Sequence, residues 1–187
     1  MQTANGCAPS GQSLYLVRPH HRCPSRNRDA TTVTTVAIDG DFNLACDSLC
    51  TMGDYKDIKP YRKIVKLKKG KYQGWFLCYS GDLHIAEDCV AKLEENVPIG
   101  ANDVADGDNC CNLFLVSQEE EKVLMMHRHT YGKWRKHRVP CATGTGSSLA
   151  MAAMLSGASA ERAVRAAIKM DLYSGGRVVS IRNPRFE

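Results

Sequence analysis

Five consecutive residues, Trp75-Phe-Leu-Cys-Tyr79, are all apolar. Side chains along a strand alternate between its two faces, so a strand built from such a run has no face left for water. It is expected to be buried on both sides, and a sheet that holds it must be covered above and below. The chain has 187 residues, 43% hydrophobic and 24% charged, the balance of an ordinary soluble domain. A chain of this length buries roughly 70% of its unfolded surface and needs no metal or disulfide to build its core.

The covering layers are visible as helical periods. Ile85, Ala86, Cys89, Val90 and Leu93 recur at helical spacing over Leu83 to Glu95, and Pro98 marks the stop. Ser147 is a candidate N-cap for a helix over Leu149 to Leu155 that stops at Gly157. Ser159 is a candidate N-cap for a second late helix over Ala160 to Leu172. Strands are expected over Thr31 to Ile38, Phe42 to Cys50, Lys63 to Lys68, Leu113 to Ser117, Val123 to His127, Trp134 to Val139 and Val178 to Arg182. Asp39-Gly40 between the first two reads as a tight hairpin turn. This order of elements is α+β rather than doubly wound.

Residues 1–30 hold Gly, Pro, Ser, Asn and four arginines against one aspartate, with no helical or strand period. They read as a propeptide, a disordered tail or a stretch from a misassigned start, before a single domain over 31–187. The net charge is +5 and is concentrated in that segment, so the body lacks a field that would recruit nucleic acid. His127 to Arg138 interleaves bases with aromatics, and reads as the charged edge of a hairpin. Nine cysteines without a CxxC pair argue against zinc, and with no apolar leader they suggest a reducing, cytoplasmic setting. No run approaches the roughly 18 to 20 apolar residues of a membrane helix.

Three ionisable residues stand where apolar ones are expected. Lys63 shares a strand face with Val65 and Leu67, and is either turned inward or left at the exposed strand end. Asp171 projects onto the middle of the stripe formed by Ala163, Val164, Ala167 and Ile168; otherwise it caps the turn Ser174-Gly175-Gly176. Asp47 ends the apolar strand that starts at Phe42. A buried, unpaired carboxylate costs several kcal/mol, so such groups need partners.

A family resemblance joins them. Thr31-Thr-Val33, the sixteen-residue step from Thr31 to Asp47 and the second sixteen-residue step to Lys63 resemble the proteasome beta subunits and their HslV-type bacterial relatives. Tyr79-Ser-Gly-Asp82, Gly144-Thr-Gly146 and Asp171-Leu-Tyr-Ser-Gly-Gly176 are similar to further blocks of that family, in the right order. The chain departs from the family in Thr145, where a Ser is usual, in Asp82, and in Ala30 before the proposed nucleophile.

The resemblance implies a four-layer αββα sandwich of the N-terminal-nucleophile hydrolases and a threonine peptidase freed by cleavage of the bond between Ala30 and Thr31. An α-amino group titrates near about 8 and can serve as the base for its own hydroxyl. In this reading Thr31 attacks, Lys63 supports the alkoxide, Asp47 pairs with Lys63, Gly81 supplies the oxyanion-hole amide, and Thr145, Asp171 and Ser174 hold the amine. Tyr79 would line the substrate pocket. No metal or other cofactor is implied. Two stacked homo-oligomeric rings of 12 or 14 subunits in all, polypeptide substrates and an ATP-driven unfoldase follow as partners, with neither membrane nor nucleic acid. A non-catalytic ring subunit and a small-amide amidohydrolase of the same class are the alternatives. Thr34 and Thr35 are rival nucleophiles, because the Thr-Thr-Val of 31–33 recurs at 34–36. Choosing Thr34 shortens the step to Asp47 to thirteen residues and moves the hairpin centre off Asp39-Gly40, so Thr31 is preferred.

Overall fold

A computed structural model describes residues 30–186 apart from 33, 53–54, 58–60 and 108; most of the segment read as a tail or propeptide therefore lies outside the described residues. In chain order the elements are β1 (Ala30–Thr32), β2 (Thr35–Ile38), β3 (Leu44–Asp47), β4 (Cys50–Met52), β5 (Tyr55–Asp57), β6 (Ile64–Lys66) and β7 (Phe76–Asp82). Then follow α1 (Leu83–Glu94), β8 (Ala105–Asp106), β9 (Asn109–Ser117), β10 (Lys122–Met126), β11 (Arg135–His137), β12 (Cys141–Gly144), α2 (Ser147–Leu155), α3 (Ala160–Met170) and β13 (Val178–Ile181). The larger sheet runs β11-β10-β9-β7-β1-β4-β5, with β6 also on β7 and β8 on β9; the smaller runs β12-β2-β3-β13. Every pairing is antiparallel.

Three apolar clusters separate four layers. Phe76 and Cys78 of β7 and Phe114 and Val116 of β9 face Val36, Ile38, Leu44 and Cys46 of the smaller sheet. The alternate residues Leu77, Tyr79, Leu113 and Leu115 face Leu83, Ala86, Cys89 and Leu93 of α1. This alternation accounts for the unbroken apolar run in β7. On the far side of the smaller sheet, Ala37 and Ala45 meet Ala150, Met154, Ala160, Ala163 and Val164 of α2 and α3. The order is α1, larger sheet, smaller sheet, α2 with α3, the expected αββα sandwich.

The first hairpin departs from its expected turn. A two-residue turn at Asp39-Gly40 would pair Ile38 with Asp41, but Ile38 pairs with Leu44. The connection takes in residues 39–43 because the Asp39 carboxylate collects the amides of Asp41 (3.1 Å) and Asn43 (3.0 Å) and the Asn43 side chain (3.1 Å). It also accepts the amide of Ala160 at 2.9 Å, tying the loop to the start of α3. β2 is thereby slid three residues along β3 relative to a tight turn.

Other elements also shift at their ends. The Trp134 to Val139 strand contracts to β11, whose Arg135 and Lys136 are exposed on the sheet's edge. α2 begins at Ser147 with Gly146, not Ser147, as its N-cap. A side chain at Gly146 would run into the Thr35 and Ser174 hydroxyls. α3 ends at Met170 rather than Leu172, and Asp171 is its extended C-cap.

Phe114, 2% exposed between the sheets, and Leu155, 72% exposed at the end of α2, test this layering. Phe114→Ala is expected to lower unfolding free energy by about 3–5 kcal/mol and Leu155→Ala by under about 0.5 kcal/mol, measured by urea denaturation.

Candidate active site

Lys63 enters the molecule just ahead of β6 and is fully buried, whereas Lys66 and Lys68 on the same segment are exposed. Of its two possible placements, the inward one is adopted. Its ammonium donates to Asp47 Oδ1 at 3.1 Å and contacts the Leu49 carbonyl and Thr34 Oγ1. Three protons meet three acceptors, the arrangement that suits a charged lysine. Burial pushes its pKa down, and the Asp47 carboxylate pushes it back part of the way.

Asp47 is equally enclosed. Oδ1 accepts the Thr34 hydroxyl, Lys63 and the Thr35 amide (3.0 Å), and Oδ2 accepts the Gly175 amide at 2.8 Å. Cys46 beside the pair is no competing nucleophile, since burial pushes its thiol up to about 12 and keeps it protonated.

Where the spacing leads one to expect Thr31, the described hydroxyl on Lys63 is that of Thr34. Thr34 is fully buried between the ammonium and the carboxylate. Thr31 lies upstream in β1, its backbone paired with Thr51 of β4 and Asp82 of β7. The physical reason is the wide first hairpin: the three-residue slide of β2 along β3 equals the offset between the two threonines. Equal spacing to Asp47 and Lys63 counts residues along the chain but is blind to register.

The turn after α3 forms a second group of hydroxyls. Asp171 Oδ2 accepts from Thr145 Oγ1 at 2.6 Å and from Ser174 Oγ at 2.5 Å. The Ser174 oxygen lies 2.6 Å from Thr35 Oγ1. Asp171 is therefore not in the middle of the α3 stripe; it stands half-exposed at the helix end and organises the turn, because its local hydrogen bonds compete with another helical turn. Burial pushes its carboxyl up, but the hydroxyls of Ser174 and Thr145 and the amides of Tyr173 and Ser174 outweigh this and leave it below its usual value. Gly175 links this turn to Asp47.

Gly81 has φ +111°, and any side chain there would strike the Cys110 carbonyl. It pairs with Thr32 on one side and Cys111 on the other. Asp82 turns its carboxylate to the amide of Ile85 at 3.0 Å and caps α1. Tyr79 is 2% exposed, with its ring in the α1 core and its hydroxyl on the Arg62 carbonyl at 2.7 Å. That placement corrects the expectation of a pocket-lining ring. The sequence marks Thr35 only as a rival nucleophile and gives no sign of the carbonyl of Leu49 or the amide of Gly175. The repeated Thr-Thr-Val was the only signal for Thr35, and backbone groups leave none.

Among the described residues no group of three or more His, Cys, Asp or Glu could hold a metal ion, and no helix is long and apolar enough to cross a membrane.

Two antiparallel sheets enclosed by helices give this chain the fold of solved structures that include an HslV. Eukaryotic HslV from Trypanosoma brucei superposes with a TM-score of 0.57 at 17% identity, over 79% of this chain and 97% of that one. Thiobacillus denitrificans BPH in complex with epoxomicin gives 0.59 at 16% identity, over 79% of this chain and 96% of its own, and a second structure of Thiobacillus denitrificans BPH gives 0.57 at 17% with the same coverages. At these identities the likeness is one of fold. No family model and no curated protein matches the chain.

Removing one member of a buried pair strands the other's charge. Asp47→Ala is expected to cost about 3–5 kcal/mol of stability. Lys63→Met is expected to cost less, because the Asp47 carboxylate keeps the Thr34 hydroxyl and the amides of Thr35 and Gly175. Chemical denaturation of both variants measures the difference.

Proposed function

We propose that the chain is a self-processing threonine endopeptidase whose nucleophile is Thr34, exposed as a new N-terminus by cleavage between Val33 and Thr34. The observation that carries this reading is the Thr34 hydroxyl, buried and held between the Lys63 ammonium and the Asp47 carboxylate. Residues up to Val33 form the propeptide, and the remainder forms a single catalytic domain.

In the intact chain the Thr34 oxygen attacks the Val33 carbonyl carbon while Asp47 Oδ1 takes the hydroxyl proton; the C–N bond then breaks, that proton passes to the departing Thr34 nitrogen, and the acyl group is left on oxygen with the α-amino group free. Water hydrolyses the ester, releasing the Val33 carboxylate and restoring the Thr34 hydroxyl. In the mature enzyme that amine takes the hydroxyl proton as Thr34 attacks a peptide carbonyl, then gives it to the leaving amine. Lys63 keeps its charge throughout and favours the alkoxide. The Gly81 amide is assigned to the oxyanion, a type of donor worth roughly 3–4 kcal/mol. Water then releases the acyl group from Thr34.

β1 lies between β4 and β7, antiparallel to both. Its departure after cleavage would vacate a strand position that an extended peptide can fill by main-chain pairing. Substrates are therefore polypeptides, and the uncleaved chain is self-blocked. Met170, Leu172 and Tyr173 expose apolar side chains beside the Asp171 turn, which suits burial against another copy in a homo-oligomeric double ring. A unit of that kind would be fed by an ATP-driven unfoldase in the cytoplasm.

Intact mass after treatment with a peptide epoxyketone tests the assignment. The mature chain is expected to begin at Thr34 and to carry the adduct. Thr34→Ala should abolish it and lower peptide hydrolysis by at least about a thousandfold, whereas Thr31→Ala should keep it. A mature start at Thr31, or an adduct on Thr34→Ala, would overturn the reading; a chain that is never cleaved favours the non-catalytic subunit.

A further inference from the structure

We infer that Thr35, the residue after the proposed nucleophile, is a positioning residue whose hydroxyl orients the Ser174–Asp171–Thr145 chain as an acceptor cradle for the α-amino group of Thr34. The inference rests on the reading of Thr34 as nucleophile.

Thr35 is fully buried and fixed by two elements. Its amide donates to Asp47 Oδ1 at 3.0 Å, and its residue pairs with Gly144 of β12. Its hydroxyl, 2.6 Å from Ser174 Oγ, sits against Gly146, where no larger residue fits. A threonine packed only for its shape would not need that oxygen to face another hydroxyl.

The direction of the bond follows from counting protons. Each hydroxyl has one proton and two lone pairs, and an ionised carboxylate only accepts. Ser174 gives its proton to Asp171 Oδ2 at 2.5 Å, and Thr145 gives its own at 2.6 Å. Ser174 has nothing left to donate, so Thr35 donates to Ser174. Two hydroxyl protons then go to Asp171 and the third to Ser174, and what the chain presents elsewhere is lone pairs. An amine one residue upstream of Thr35 can donate its N–H groups to such a cradle while its own lone pair stays available for the Thr34 proton. Donation from Thr35 also polarises the Ser174 hydroxyl towards Asp171. Charged groups on the surrounding elements are Lys63 and Asp47, reached through Gly175, and the exposed Lys169 and Arg177 that flank the turn.

The test compares the full chain with Thr35→Val, which keeps the branched shape and loses the hydroxyl, and Thr35→Ser, which keeps the hydroxyl. Thr35→Val is expected still to mature at Thr34, to hold KM within about twofold and to lower kcat about tenfold, the scale of one hydrogen bond in a charged network. Its Asp171 carboxyl, followed by carbon NMR, should titrate at higher pH than in the parent. Thr35→Ser should restore both. Thr35→Ala replaces the valine variant if that one does not fold. An unmoved Asp171 midpoint with unchanged kcat, or no rescue by serine, overturns the inference while the Thr34 adduct stands. A parent that forms no adduct at Thr34 instead sinks the peptidase reading and the role of Thr35 with it.

Discussion

A lysine ammonium buried in a protein core has to be answered by its surroundings, and much of this structure is the answer to Lys63. Its three protons recruit a side-chain carboxylate, a threonine hydroxyl and a main-chain carbonyl from β3 and the segments flanking β2 and β4. Asp47, brought in to balance the charge, has oxygens to satisfy in turn, and does so with amides on both sides. The ends of β2, β3 and β6 and the turn after α3 are thus held to one another by a single charge. Burial pushes the lysine's pKa down, and the Asp47 carboxylate pushes it back part of the way.

The same connections explain how remote parts of the chain come together. Asp39 ties the first hairpin to the N-terminus of α3, and the turn at the other end of α3 returns to Asp47 through Gly175. The helix is therefore anchored at both ends to one hairpin. Small residues make this possible: Ala37 and Ala45 on the sheet and Ala160, Ala163 and Ala167 on the helix are all fully buried, so the layers approach closely enough for short polar side chains to reach across.

The layers were legible in the sequence because they follow from periodicity. The apolar run of β7 predicts burial on both faces, and α1 and α3 show their stripes and stops within two residues of the observed ends. Asp47, Lys63 and the Asp171 turn were legible as polar residues out of place. Register was not. Asp39-Gly40 has the composition of a two-residue turn, but the Asp39 carboxylate gathers the nearby amides of Asp41 and Asn43 and that of Ala160, 121 positions away, and so widens it to the observed loop. That one loop decides which threonine meets Lys63. For Asp171, the helical wheel assumes a helix that continues, whereas three hydroxyls and a glycine-rich turn favour its end.

β1 is only three residues long, yet it is the sole link between β7 and β4 in the described part of the larger sheet. A slot flanked by two strand edges reads main-chain groups, which every sequence shares, and asks only that the visitor be extended and unpaired on both sides. A folded domain has almost no such stretch to lend. On the proposed function, a β1 position vacated by cleavage would select for the conformational state of a polypeptide before its sequence, so that loss of structure in the substrate becomes the admission criterion.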